Sequence, residues 1–403
     1  MLSMLLFSGQ AILALTIGIL IFNLFVLSVV SAAVRGRPGV APTSGRRFAV
    51  LIPAYNEEST IGPTLESILS ADYPRALFDV FVIADNCTDT TARVSRDLGA
   101  RVLERRDLDL RGKGYALRWA MDLLLASQER YDAFIVVDAD STASANFLGI
   151  MNASLDNGAS VIQANDIVKP QPGAWSSEIT RLGFTLYNFV RPRGRSVLGL
   201  SAGLRGNGMC FAAGVLRSFP WEAYSRAEDL EFGLHLLLHG VSITFAPEAT
   251  VLATMPVEAK LAESQRARWE AGRIPVIRRF AWPLLKKGVL KGSWVCIDAL
   301  LDLLTPALVN LTALVILLLS INVALPAAGV TGGPLFVVVW TGLFIVGLLH
   351  VVIGLFAAHA DGALYKALLH IPRYALWKLL LYAKLARREE TKEWIRTTRE
   401  ISP

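Results

Sequence analysis

Five short segments carry side chains able to act on a charged substrate. Asp138-Ala139-Asp140 closes the strongly apolar run Phe134-Ile135-Val136-Val137. Residues i and i+2 of a strand project to the same side, so both carboxylates are expected to face one site. Like charges held together cost energy unless a cation or a hydrogen-bonded ligand accepts them. Mg2+ and Mn2+ are held by one or two carboxylates plus substrate phosphates, which makes this pair a candidate metal and diphosphate site. Glu228-Asp229-Leu230-Glu231 crowds acids ahead of an apolar helical run, Phe232 to Leu238. One of them can serve as a general base, its pKa raised by its neighbours, although acids also stabilise a helix N-terminus. Arg111-Gly112-Lys113-Gly114 puts a cation on a flexible loop. Gly206-Asn207-Gly208-Met209 offers a turn, or a wall where main chain approaches a ligand. In Gln265-Arg266-Ala267-Arg268-Trp269, Arg268 could fork onto diphosphate oxygens and Trp269 could stack on a sugar. The same two residue types also suit a membrane interface.

These segments need a scaffold that brings strand ends together. Phe48-Ala49-Val50-Leu51-Ile52-Pro53, Val80 to Asp85 and Phe134 to Asp138 are short apolar runs ending in polar residues, with helical patterns between them. Strands apolar on both faces and separated by helices predict an α/β domain with a parallel sheet covered on both sides. Ligands then bind beyond the carboxyl ends of the strands. There the first run continues as Ala54-Tyr55-Asn56-Glu57-Glu58, with Asn56 as a helix N-cap, and the second as Asn86-Cys87-Thr88-Asp89. No GxGxxG follows the first strand, and Walker A, HExxH and paired-cysteine spacings are absent. Cys87, Cys210 and Cys296 are far apart, which argues against a zinc or redox centre. A dinucleotide enzyme, an NTPase and a zinc hydrolase are therefore poor fits.

The 403 residues are 53% hydrophobic and only 18% charged, against roughly 25% charged in soluble domains. The shortage is local. No Asp, Glu, Lys or Arg occurs from Met1 to Val34 or from Leu303 to Ala360. Each run is long enough to cross a hydrocarbon core. The first is too long for a signal peptide and lacks its basic start. Arg35, Arg37, Arg46 and Arg47 follow it, which places the next segment in the cytoplasm. The expected organisation is a membrane helix with basic flank at 1–46, a catalytic domain at 47–280, and an interfacial segment at 281–302. A membrane hairpin at 303–360 follows, with spans near 303–324 and 335–358, then an amphipathic inner-face tail at 361–403. The net charge of +6 is then matched to membrane lipids rather than nucleic acid.

Taken together and in this order, the segments resemble the family 2 glycosyltransferases with a GT-A fold. The resemblance is to the membrane-integrated branch that includes cellulose, chitin, hyaluronan and poly-N-acetylglucosamine synthases, and it covers about 47–275 by motif. It implies that Pro53, Tyr55 and Glu57 line a nucleoside pocket and that Asp85 contacts the uracil of a UDP-sugar. Lys113 would approach the donor. Asp138 would contact the nucleotide, and Asp140, with Asp138 beside it, would hold Mg2+ or Mn2+ against the diphosphate. Asp229 would be the base in the Glu-Asp element with Glu228, and Gln265, Arg268 and Trp269 match Gln-x-x-Arg-Trp, which contacts the diphosphate and acceptor end. Gly206 and Asn207 join this set as a ligand-facing wall. Two departures stand out: Asp85-Asn86-Cys87 replaces the common Asp-Asp-Gly, and Ala227 replaces the usual Thr before Glu-Asp.

The expected reaction is inverting transfer from a nucleotide-sugar, giving a β-linked exopolysaccharide or glycan at the cytoplasmic face of a bacterial inner membrane. About three spans hardly enclose a polymer channel in one subunit, so secretion would need a homo-oligomer or an export partner. The alternative is transfer of one sugar to a lipid acceptor such as a ceramide, a diacylglycerol or a polyprenyl phosphate. A third reading is an inactive nucleotide- or glycan-binding module, which intact Asp138, Asp140 and Asp229 disfavour.

Overall fold

In the computed structural model, residues 2–34, 45–170, 175–254, 261–324, 333–371 and 373–374 are described. Among them, one eight-stranded sheet organises the segment between the membrane helices. Its strands are β1 (Phe48–Ala54), β2 (Phe78–Asp85), β3 (Arg101–Arg105) and β4 (Ala133–Val136), followed by β5 (Ser141–Ala143), β6 (Val161–Val168), β7 (Met209–Ala212) and β8 (Thr244–Ala253). The order is β3-β2-β1-β4-β7-β6-β8-β5. The strand-end half, β3-β2-β1-β4, is parallel as the runs predict. The other half is not: β7 lies antiparallel to both β4 and β6, and β5 antiparallel to β8, so the sheet is mixed. The helical excursion from Trp175 to Val197 returns the chain to the end of the sheet where β6 finished. A strand entered from that end has to run back antiparallel.

β1 is buried along its whole length, and its alternation sorts residues onto two faces. Phe48, Val50 and Ile52 pack with Ile61, Leu65 and Ile68 on one face. Ala49 and Leu51 pack with Leu117, Met121 and Leu124 on the other. Each such side chain contributes about 1.5–3 kcal/mol on full burial. Pro53 can sit inside this central strand for a specific reason. Leu51 directs its carbonyl to Val137 of the β4 side, so the backbone nitrogen of Pro53 also faces that side, beyond the last β1–β4 pair of Leu51 with Val136. The N–H that proline lacks interrupts no ladder bond there.

Two helices are long and apolar enough to cross a membrane, within Phe7–Ala33 and Pro334–Ala357. The uncharged run beginning at Leu303 does not form one span from that point. Trp294–Leu304 and Leu308–Ala324 meet at a bend of 73°. Pro306 has no N–H, and a residue before proline is driven out of the helical region; Thr305 accordingly takes ψ 114°. The expected boundary at 280 also falls inside a continuous helix, Leu261–Leu290. Val276, Phe280 and Leu284 of that helix pack with Leu300, and with Leu234 and Leu237 of the helix Glu228–Leu238. The 281–302 segment thus packs on the helix that carries Leu234 and Leu237.

The N-terminal helix places Ile17, Ile21 and Leu24 against Leu311, Val315 and Trp340. Arg193 donates to the carbonyls of Val34 and Ala357, bringing the ends of both membrane-length helices to the same place on the domain. The expected turn between the hairpin spans lies almost wholly outside the described residues, as does the tail beyond 374. What is described of the tail is a short helix, Gly362–Ala367, capped by Asp361 and tied by that same residue to Arg181 at 2.8 Å.

Candidate active site

The loops beyond β1 and β4 open into a cavity of roughly 1390 Å3. Pro53, Tyr55 and Glu57 line it from β1, and Asp138 and Asp140 from β4. Lys113, Gly206, Asn207, Glu228 and Asp229 complete the wall. One predicted residue is not brought there. Asp85 is 1% exposed, lies outside the cavity lining, and accepts a bond from Arg105 at 2.7 Å. Burial raises its pKa while Arg105 opposes the shift. Gln265, Arg268 and Trp269 fall on the helix Leu261–Leu290, but their side chains lie outside the described residues.

The local geometry differs from the expected one in three places. Asp138 and Asp140 sit in a turn after β4, not on the strand, because Ser141 N–H closes back on the Asp138 carbonyl at 3.2 Å. The turn still presents both carboxylates to the cavity while burying Ala139 between them. Asn56 is not an N-cap: the helix starts at Ile61 after Thr60. Instead it takes a left-handed φ of 55°, which asparagine tolerates, and its Oδ1 accepts from Thr88 N at 2.8 Å, tying the β1 and β2 loops together. Glu231 turns away from the site towards Arg279 and the Ser225 amide.

Lys113 organises the acidic wall. Its Nζ lies 2.6 Å from Asp138 Oδ1, 2.6 Å from the Gly206 carbonyl and 3.7 Å from Glu228. Desolvation alone would lower its pKa; Asp138 and Glu228 outweigh that and hold it above the ordinary value. The helix Lys113–Ala126 can bring this lysine in because Gly114 has no side chain: a Cβ there would lie 2.2 Å from the Ala223 carbonyl oxygen. Gly206 adopts φ 86°, and a Cβ on it would approach Asp229 Oδ2 at 3.3 Å. The Gly206 backbone and the Asp229 carboxyl are therefore packed together.

Glu228 and Asp229 begin the helix Glu228–Leu238, so their place in the first turn is also structurally favourable. Desolvation pushes Glu228 up to about 7, against the opposing charge of Lys113 and with help from Asp229. Desolvation likewise raises Asp229, opposed by its backbone N–H partner, by Lys113 and by Arg205. A carboxyl titrating near neutral pH is suited to general base work. The two groups titrate as a pair.

Asp166 on β6 escaped the sequence reading. It is 4% exposed and accepts from Asn207 Nδ2 at 3.1 Å and from Asn188 Nδ2 at 3.2 Å. Desolvation and the charges of Asp138 and Asp140 hold its pKa well above the carboxylate range. An acid beside Gln163 and Asn165 in the largely buried strand Val161–Val168 was the available signal. Asn207 links it to the rest: its Oδ1 accepts from Asp138 N at 3.0 Å and its Nδ2 also donates to Ser141 at 2.9 Å. Among the described residues no group of three or more His, Cys, Asp or Glu converges as a closed metal site. Asp138 and Asp140 fit the other kind, an open pair of hard oxygen donors completed by substrate oxygens and water.

A family model described as glycosyltransferase like family 2 matches residues 45–272. The poly-beta-1,6-N-acetyl-D-glucosamine synthase of Staphylococcus epidermidis is 25% identical over 244 residues, covering 59% of this chain and 57% of that protein. The beta-monoglucosyldiacylglycerol synthase of Nostoc sp. is 25% identical over 287 residues, covering 68% of this chain and 58% of that protein. The chain thus spans a little over half the length of these curated relatives. A solved structure, the mannosyltransferase PcManGT from Pyrobaculum calidifontis in complex with GDP-Man and Mn2+, aligns with a TM-score of 0.56 at 17% identity. The alignment covers 86% of this chain and 97% of that one, a likeness of fold. The family match spans more than half of the sequence, and with the mixed sheet and its flanking helices it places the protein among the family 2 glycosyltransferases of GT-A fold.

Proposed function

We propose that this protein transfers a single sugar from a nucleoside-diphosphate sugar to an amphiphilic acceptor held in the membrane, inverting the anomeric centre. The observation that carries the reading is the continuity of the cavity. It runs from Asp138, Asp140 and Asp229 to Ile21, Leu24, Leu311, Val315, Leu343 and Leu348 of the apolar helices. A polar end with catalytic groups and an apolar end between membrane helices match an acceptor with one wet terminus and one hydrocarbon chain. Support also comes from the relative named for a glucosyl-diacylglycerol product.

In this reading Asp229, with Glu228 beside it, takes the proton of the acceptor hydroxyl as that oxygen attacks the anomeric carbon. Lys113 offsets charge developing on the leaving diphosphate. Asp138 and Asp140 would hold Mg2+ or Mn2+, which supplies further charge neutralisation at the diphosphate when bound. Pro53, Tyr55 and Glu57 hold the nucleoside, and the Gly206 carbonyl and the Asn207 side chain keep Lys113 and Asp138 in register. Attack opposite the leaving group converts an α-linked donor into a β-linked product. The sequence resemblance favours a uracil nucleotide, and the complex of the fold relative holds GDP-Man, so both donors are tested. The membrane placement is a cytoplasmic-face catalytic domain, supported by the basic run after the first helix.

A polysaccharide product is the second reading, favoured by the relative named as a poly-N-acetylglucosamine synthase. Full-length protein with labelled UDP- or GDP-sugars, Mg2+ or Mn2+, and membrane lipids separates the two. A discrete organic-phase product is expected, lost in excess EDTA. High-mass product would establish the polymer reading, and an α-linked product or full turnover in EDTA would overturn the mechanism.

A further inference from the structure

We infer that the acceptor is anionic, its phosphate or carboxylate headgroup held by buried arginines on the membrane side of Asp229. This rests on the lipid-acceptor reading and specifies the headgroup chemistry. Beyond Gly206 and Asp229 the cavity wall changes character. Arg191, Arg205 and Arg273 line it there, and with Arg195 behind the wall they gather around the acids Asp298 and Asp302. The helix Arg191–Val197 and the Leu204–Asn207 loop supply the first three; Trp294–Leu304 supplies both acids.

The pairing is incomplete. Arg195 takes the best geometry, 2.7 Å to Asp298 and 3.1 Å to Asp302. Arg191 and Arg205 reach Asp302 only at 3.4 Å each. Arg273 donates to the backbone carbonyls of Asp302 and Leu303 at 2.8 and 2.9 Å. Asp298 and Asp302, with Asp229 acting on Arg205, thus face four guanidinium groups, an excess of one positive charge, with Arg191 and Arg195 buried. Arg191 is 3% exposed. Burying a cation without a full partner is costly, so such an excess is expected where a ligand brings the missing negative charge.

Several polar atoms around this part of the cavity are buried and incompletely partnered. Among the described residues, Arg191 Nε, Arg205 Nε and His350 Nε2 are buried without a hydrogen-bond partner. All three side chains line the cavity. His350 is fully buried within the helix Gly333–Ala357, and its Nδ1 pairs with Ser28 Oγ of the N-terminal helix at 2.7 Å. A polar ring fixed at one nitrogen and free at the other, inside a membrane-length helix, marks a functional position. Guanidinium groups suit the planar or forked oxygens of carboxylate and phosphate. The placement also separates this site from the donor. Lys113 pairs with Asp138 at the polar end, whereas Arg191 belongs to the helix whose Arg193 donates to Val34 and Ala357 at the ends of the membrane-length helices. A headgroup on the arginines therefore sits on the acceptor side of the base, with the hydrocarbon chain continuing towards Leu311, Val315 and Leu348.

The test is equilibrium binding to full-length protein in phosphatidylcholine nanodiscs, corrected with empty discs. The probes are hexadecyl phosphate, hexadecanoate, hexadecanol and inorganic phosphate. Saturable binding of the phosphate or the carboxylate, at least about tenfold tighter than the alcohol, is expected. Arg191→Gln should weaken that binding by about tenfold or more while leaving nucleoside-diphosphate affinity unchanged. Equal binding of the alcohol would overturn the anionic headgroup and leave the lipid-acceptor reading standing. No saturable binding of any chain-bearing probe would remove both. Inorganic phosphate binding as tightly as hexadecyl phosphate would make this a free-anion site and overturn the inference. If Arg191→Gln also loses nucleoside diphosphate, the wild-type probe series decides by itself.

Discussion

Replacing Lys113 with Met tests the electrostatic core of the site, because one ammonium group faces Asp138 at 2.6 Å and Glu228 at 3.7 Å. The base must be ionised to accept a proton, so activity rises with pH through the pKa of the carboxyl pair. That pair is already shifted, with Glu228 pushed up to about 7 by desolvation while Lys113 pulls it down. Unit charges 3.7 Å apart at an effective dielectric of about 20 interact by roughly 4 kcal/mol, or about three pH units. Water in the open cavity screens this, so the expected displacement is at least about one pH unit upward. Loss of the charge facing the diphosphate should also lower kcat by about 100- to 1000-fold. Initial rates of transfer from labelled donor, followed across neutral pH for wild type, Lys113→Met and Lys113→Arg, read both effects. Lys113→Arg keeps the charge and should keep the ascending limb near its wild-type position. An ascending limb at the same pH in Lys113→Met would refute the proposed coupling between Lys113 and the carboxyl pair.

Asp229→Asn should reduce transfer by about 1000-fold or more while nucleoside-diphosphate binding, measured by calorimetry, stays near wild type. Glu228→Gln should raise the thermal midpoint at pH 8. Its carboxyl, shifted from 4.5 to about 7, costs the folded state nothing below the lower value and a growing amount as pH rises to the higher. The gain should reach about 2–3 kcal/mol and vanish near pH 4. Asp302→Asn strips the shared partner from Arg191, Arg195 and Arg205, and should destabilise the protein by about 3–5 kcal/mol in thermal unfolding. An unchanged midpoint would mean these arginines are solvated rather than paired.

Much of the site was legible because its residues follow elements with strong local signatures. Asp138 and Asp140 come after a strand marked by four consecutive buried residues, and Glu228 and Asp229 open a helix whose apolar face begins at once. The partners of Lys113 were not legible. Asp138, Gly206 and Glu228 lie 25, 93 and 115 positions away, and no local pattern relates them. Asp85 illustrates the converse. A carboxylate at a strand end looks available to a ligand, yet Arg105 on the neighbouring strand already holds it. The span expected near 303–324 is bent between Leu304 and Leu308, since hydropathy is blind to the N–H that Pro306 lacks.

Hydropathy and side-chain period are short-range properties, and by themselves they determined the membrane-length helices, the α/β alternation and the acids at the strand ends. Tertiary structure alone decided the mixed sheet, the position of Asp166, the arginine cluster on Asp298 and Asp302, and the joining of catalytic and apolar surfaces in one cavity. Each of these depends on charges and chain directions meeting across long sequence separations. Their energies are set by burial and distance, quantities that exist only once the chain has folded.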